Sequence, residues 1–125
     1  MNISDDFAKD NPILTTSVVA GMLGITPDRL RMYDTTKLIC VHRVDTGQVR
    51  KRFYSQYDVE WLKGIRRLLK DHKMSVALVK YLLKMLYKNP KLHYPIDEVS
   101  DILRELAKNP NFKSVVEGFD KGHKK

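Results

Sequence analysis

A glycine and a proline three residues apart, in Gly24-Ile25-Thr26-Pro27, constrain this chain more than any other feature. Gly24 ends a helix by taking a left-handed backbone conformation that other residues resist. Thr26 is a capping residue for the next helix, and Pro27 falls at its first position, where the missing N–H costs nothing. Two helices must therefore meet across a tight turn. Upstream, Thr15, Thr16 and Ser17 can each cap a first helix with an apolar face of Val18, Val19, Met22 and Leu23. Downstream, Leu30 and Tyr33 are three apart and face back toward that helix.

The run Leu38-Ile39-Cys40-Val41 is β-rich and is answered by Val49 and Phe53-Tyr54 across a turn containing Asp45-Thr46-Gly47. That pattern predicts a hairpin flanked by Arg43, Arg50, Lys51 and Arg52. Helix, tight turn, helix and basic hairpin in this order predict a mainly α chain: a winged helix-turn-helix with a short β-hairpin wing and additional C-terminal helices.

The further helices follow from period and punctuation. Ser55 followed by Asp58 resembles a helix-opening cap, although the usual partner is Glu or Gln. The helix after it is expected to bury Val59, Leu62, Ile65 and Leu69, with Trp61 on a flank, until His72-Lys73 breaks it. Ser75 caps the next, lined by Val79, Leu82, Leu83 and Leu86. Asn89-Pro90 and Pro95 bracket a linker. Ile96, Val99, Leu103 and Leu106 mark a helix of about three turns, stopped by Asn109-Pro110, and Phe112, Val115, Val116 and Phe119 a last short one. The expected organisation is a flexible arm over residues 1–12, the winged unit over 13–88, and a helical appendage with a basic tail over 89–125. The appendage is the expected place for oligomerisation or partner contact.

Charge placement narrows the partner. The chain carries a net charge of +8. Residues 26–52 hold seven Lys/Arg against three Asp, and residues 63–91 hold nine against Asp71 alone. Residues 95–120 are acidic, with six acids against three bases. Positive charge concentrated on the helix-turn-helix and the helices after it is the footprint of a phosphate-backbone binder, with a lysine-rich solvated surface as the plainer alternative. No apolar run approaches the roughly 20 residues that span a bilayer, so no membrane partner is expected. The polar, acidic start Met1-Asn2-Ile3-Ser4-Asp5-Asp6 is unlike a secretory signal, and a single cysteine cannot form an internal disulfide. Both point to the cytoplasm.

The strings Gly24-Ile25-Thr26, Arg29-Leu30-Arg31-Met32-Tyr33-Asp34 and Arg52-Phe53-Tyr54-Ser55-Gln56-Tyr57-Asp58-Val59, with Leu62 to Leu68 and Met74 to Val79 behind them, resemble the MerR family of bacterial transcription regulators. The likeness covers residues 14 to 86 and is nearest to small heat-shock-repressor-like members; excisionase-like proteins share the same head. It implies a sequence-specific double-stranded DNA-binding regulator, with two copies on an inverted repeat and RNA polymerase or another protein as further partners. Three departures stand out. Lys37 occupies the position where the family places Gly before Leu-Ile, so a positive φ there would strain it. The wing is three residues longer between Gly47 and Arg52. Pro90, Pro95 and Pro110 forbid the long dimerisation helix of the family, and Ile96, Val99, Leu103 and Leu106 offer under two heptads, a weak oligomerisation stripe at most.

The expected DNA contacts are Thr26, Arg29, Arg31, Tyr33, Arg43, Arg50, Lys51, Arg52 and Tyr54. An arginine fork can bond O6 and N7 of guanine together. Arg29 and Arg31 are separated by about 200° on a helix, so one faces the major groove while the other grips phosphate; the family pattern favours Arg31 for direct contact. Tyr33 either offers its hydroxyl to a phosphate or is core with a wet tip. Thr26 caps the helix, whose N-terminus attracts anions. The wing basics reach backbone or an adjacent minor groove. Tyr54 is equally read as a pin between wing and following helix, and Lys63, Arg66, Arg67, Lys70 and Lys73 as a phosphate track or a solvated face. Cys40 is expected to be a small buried hydrophobe. His42, His72, His93 and His123 have no ligand spacing, no phosphate loop occurs, and no nucleophile has an evident base. No cofactor, no metal and no enzymatic activity are therefore expected. Two other readings stay open: an excisionase-like DNA-architectural protein, and a protein-interaction adaptor docking through the winged unit.

Overall fold

Strand β1 (Leu14–Thr15) leads directly into helix α1 (Thr16–Leu23), where the Thr15 hydroxyl accepts the Val18 N–H at 3.4 Å. Of the three candidate caps, Thr15 is the one used. Helix α1 stops at Gly24, whose φ of 70° lets its N–H turn back to Gly21 O at 3.2 Å. Helix α2 (Pro27–Thr35) begins one short turn later, with Thr26 Oγ1 accepting the Arg29 N–H at 3.1 Å and Pro27 at the first helical position. The inward face of α2 is Leu30, Tyr33 and Asp34. The face of α1 differs from expectation: Val19 and Ala20 are buried, while Val18 and Met22 are about half exposed.

Strand β2 (His42–Asp45) and strand β3 (Arg50–Tyr54) form the hairpin, with Arg43 opposite Arg52 and Asp45 opposite Arg50. The sheet order is β1-β3-β2, because Leu14 and Thr15 pair with Tyr54 and Phe53 along the other edge of β3. The strand expected at Leu38 to Val41 does not form. Leu38, Ile39 and Val41 are buried, and the Leu38 N–H donates to Tyr33 O at 2.9 Å, so this apolar run closes the end of α2 instead of pairing. Cys40, expected among the buried residues, is exposed between them.

The model is a computed structural model that describes residues 9–121. Within the arm expected to be flexible, Lys9 and Asp10 are helical, and the Lys9 ammonium reaches Glu60 at 3.7 Å and the face of Tyr57. The rest of that arm up to residue 8, and the tail from residue 122, lie outside the described residues. The chain divides into two units, one ending at Glu60 and one beginning at Trp61, a boundary that falls within helix α3 (Gln56–Arg66).

Helix α3 opens with a reciprocal cap in the first unit. The Ser55 N–H donates to Asp58 Oδ2 at 2.9 Å, and the Asp58 N–H donates to Ser55 Oγ at 3.1 Å. Aspartate thus completes the box that normally uses a longer acid.

In the second unit α3 continues as a π-helical segment from Arg67 to Asp71. The wider turn changes which residues share a face, so Leu68 is buried and Leu69 only half-buried. Trp61, expected on a flank, is fully buried. Lys73 breaks the helix with a φ of 57°, and Ser75 caps helix α4 (Val76–Lys88), which buries the expected Val79, Leu82, Leu83 and Leu86. Helix α5 (Asp97–Ala107) and helix α6 (Asn111–Lys121) pack back on α4, and α5 also meets the π segment. The Ser100 hydroxyl fastens the linker by accepting the Tyr94 N–H at 2.8 Å and donating to Tyr94 O at 3.0 Å.

The weak oligomerisation stripe named from the sequence, Ile96, Val99, Leu103 and Leu106, lies mostly inside one chain. Val99, Leu103 and Leu106, joined by Ile102, are at most 2% exposed and belong to the core of one chain. Ile96 precedes the helix and alone of the four stays exposed. Val115, Val116 and Phe119 of α6, which packs on α4, are buried as well.

Candidate nucleic-acid interface

Burying one side of α2 determines what the other side presents. With Leu30, Tyr33 and Asp34 turned inward, the solvent face carries Asp28, Arg29, Arg31 and Thr35. Arg31 and Asp28 lie one turn apart and form an exposed ion pair at 2.7 Å. Such a pair is worth little in water, so it orients the guanidinium without tying it down. Arg29 is exposed as well, on a different side of the helix from Arg31. Thr26 is exposed and holds the first turn of the helix by its cap.

The hairpin brings a second set of cations into the same unit. Its turn is fixed locally: the Thr46 N–H donates to Val49 O at 3.0 Å, the Gly47 N–H donates to Asp45 Oδ1 at 2.9 Å, and Gly47 takes a φ of 91°. Val44 and Val49 are exposed on it. Arg50 has a side chain 79% exposed, paired only loosely with Asp45 at 3.4 Å, and Lys51 is exposed. These two are available to a ligand.

Arg43 and Arg52 are placed differently from Arg50 and Lys51, although the sequence put all four in one class. The Arg43 Nη2 lies 2.5 Å and the Arg52 Nε 2.8 Å from the same oxygen, Oδ2 of Asp34, whose side chain is only 5% exposed. One carboxylate from α2 therefore holds an arginine from each strand of the wing. Two like charges directly opposite on neighbouring strands repel, and an acid between them removes that cost. Sequence reasoning quoted Asp34 as part of a motif but gave it no role. The available signal was its spacing: an acid one residue after Tyr33, on the inward side of the helix, must be paired if it is to be buried.

Lys37 has a φ of 68°, so the family's glycine position does demand the left-handed region here and a lysine occupies it. The reversal directs the chain from α2 into the buried Leu38-Ile39 and on to β2. Tyr33 is 2% exposed, a position for packing with almost no surface left for a ligand. Tyr54 is wholly buried at the end of β3. Burial pushes its phenol above the ordinary 10.0; its hydroxyl lies beside Thr16 but outside good hydrogen-bond geometry. Both tyrosines are thus part of the buried core of the first unit.

In the second unit, Lys63, Lys70 and Lys73 are exposed, whereas Arg67 pairs with Glu98 at 3.1 Å. Glu98 also faces His72 Nε2 at 3.3 Å. Among the described residues no group of three or more His, Cys, Asp or Glu could hold a metal ion, and no helix is long and apolar enough to cross a membrane.

Residues 14–86 match the family model described as MerR HTH family regulatory protein. The chain belongs to the MerR helix-turn-helix family. A curated relative, the heat shock protein HspR of Streptomyces coelicolor, is 30% identical over 80 residues, which is 64% of this chain. The chain spans about half the length of that relative, 51%. A solved structure, HiNmlR, described as a MerR family regulator lacking the sensor domain and bound to promoter DNA, is 23% identical with a TM-score of 0.49, covering 88% of this chain and 81% of that one. The family match takes in both helices of the MerR head, the whole wing and α3, and most of α4.

Proposed function

We propose that this MerR-family chain is a sequence-specific double-stranded DNA-binding transcriptional regulator, with α2 entering the major groove and the hairpin reaching backbone or the adjacent minor groove. The observation that carries this reading is the pairing, within one unit, of an arginine-bearing solvent face on α2 with the exposed cations Arg50 and Lys51 of the wing. A helix at the end of a helix-turn-helix presents its first turns to base edges, and a hairpin beside it meets phosphate. Arg31 is assigned to base contact, Arg29 and the α2 N-terminus with Thr26 to phosphate, and Arg50 and Lys51 to backbone. The family match over 14–86 supports the assignment.

A gel-shift titration against salt, on duplexes selected from a random pool, tests it. Affinity should fall steeply with ionic strength, by a slope of about −0.9 per phosphate contacted. Arg31→Ala should lose discrimination between selected and random duplexes by roughly 1–3 kcal/mol, while Lys51→Ala should weaken both equally and flatten the slope by about one contact. Duplexes left unbound at low salt would refute the function. Light scattering of the protein with and without its selected duplex tests assembly: if two copies bind an inverted repeat, they associate through residues other than Val99, Leu103 and Leu106, which are already buried within one chain.

A further inference from the structure

We propose that Asp34 is a specificity-determining positioning residue, which keeps Arg43 and Arg52 out of indiscriminate phosphate binding by holding both on one carboxylate oxygen; the inference rests on the DNA-binding reading above. Three observations carry it. The two arginines are directly opposite each other on β2 and β3, a placement that repulsion would disfavour without a counter-ion. Both nitrogens approach Oδ2 of Asp34, at 2.5 Å and 2.8 Å, and that side chain is 5% exposed. Asp34 itself stands on α2, the helix that carries Arg31, so the contact ties the orientation of the wing to the helix proposed to read bases.

The consequence is a trade between affinity and selectivity. A flexible wing with four unpaired cations would bind any duplex, because phosphate contacts carry no sequence information. With Asp34 in place, the two arginines at the base of the wing are neutralised in part and fixed, and Arg50, loosely paired with Asp45, and Lys51 are the more exposed cations at its tip. Arg43, with a side chain 48% exposed, keeps part of its guanidinium outward while anchored. It can meet a phosphate only where the duplex fits the wing in its fixed orientation. Removing the carboxylate releases both guanidinium groups and the constraint together.

Asp34→Asn in the full chain separates this role from simple structural support. The probes are a random-sequence 30-bp duplex and the best duplex recovered by selection from a random pool, each titrated from low to moderate salt. The expected result is tighter binding of the random duplex by several-fold, a salt slope steeper by about one phosphate contact, and a loss of at least ten-fold in the ratio of selected to random affinity. Asp34→Glu, which keeps the charge, should restore most of that ratio. Equal weakening on both duplexes with an unchanged slope would show that Asp34 only supports the fold, and would overturn the inference while leaving the function standing. Wild-type protein that binds neither duplex would overturn the function and the inference with it. A second measurement needs no variant: with an arginine-selective dicarbonyl reagent on the free wild-type protein, Arg50 should be modified several-fold faster than Arg52 and Arg43. Equal rates at all three would refute the clasp.

Discussion

Gly64 gives the sharpest test of the packing in the second unit, because two general effects predict opposite signs there. It lies in the interior of α3, where replacing glycine by alanine ordinarily adds about 1 kcal/mol of stability. A Cβ built at Gly64, however, would stand 2.7 Å from Leu106 Cδ2 and 3.3 Å from Leu106 Cγ. Leu106 is 2% exposed on α5 and has little room to rotate away. Forcing an extra carbon into such a contact costs about 1–3 kcal/mol. Gly64→Ala should therefore lower stability by about 1 kcal/mol, the overpacking outweighing the gain in helix propensity. Urea unfolding followed by the fluorescence of Trp61, the single and fully buried tryptophan, reads this unit directly. The decisive arm is a double-mutant cycle. Leu106→Val removes the δ carbons at a cost of about 1 kcal/mol, and in that background Gly64→Ala should become neutral or stabilising. If Gly64→Ala stabilises the wild-type chain as much as it stabilises the Leu106→Val chain, the close approach of α3 and α5 is refuted.

Three further outcomes are expected. Lys37→Gly should raise stability by about 0.5–1 kcal/mol, since it relieves a left-handed lysine at the cost of some unfolded-state entropy, and Lys37→Val should lower it; chemical denaturation checks both. Ser55→Ala should cost about 1 kcal/mol, and the loss on adding Asp58→Ala should be less than additive because the two side chains complete one reciprocal cap. Tyr54 has its pKa raised by burial, so the stability it contributes is fully present below about pH 10 and is lost as pH rises through the higher folded value. Tyr54→Phe should leave the urea midpoint nearly unchanged at pH 8 and make it fall less steeply than wild type above pH 10; parallel curves for the two proteins would refute the assignment.

Elements whose signal was chemical and local were legible in the chain. Gly24, Thr26-Pro27, Ser55 with Asp58, and Ser75 each fix a helix end by satisfying or removing a backbone donor, and each does so where the spacing predicted. At Lys37 the resemblance left two outcomes open, a strained positive φ or a different turn, and the structure has the positive φ. Elements that depended on what packs against them were not legible. The apolar run Leu38 to Val41 has the composition of a strand, yet closure of α2 takes its hydrogen bond and leaves Cys40 outside. Val18 and Met22 fit the helical period of α1 but lie on a side that the described residues leave half exposed, while the small Ala20 is buried.

The division is the same at the candidate site and at the C-terminus. Sequence by itself determined that a capped, proline-started helix bearing Arg29 and Arg31 is followed by a basic hairpin, because backbone sterics and helix period act over a few residues. Only the tertiary structure decided which cations stay available: Asp34, 9 residues from Arg43 and 18 from Arg52 along the chain, holds two of the wing's four. Likewise, the apolar stripe of α5 was readable as a stripe, but that α4 and the π-helical segment would pack on its helix was a question of long-range packing. Hydrophobic burial is non-directional, so a pattern states that a face must be covered and leaves the partner to the fold.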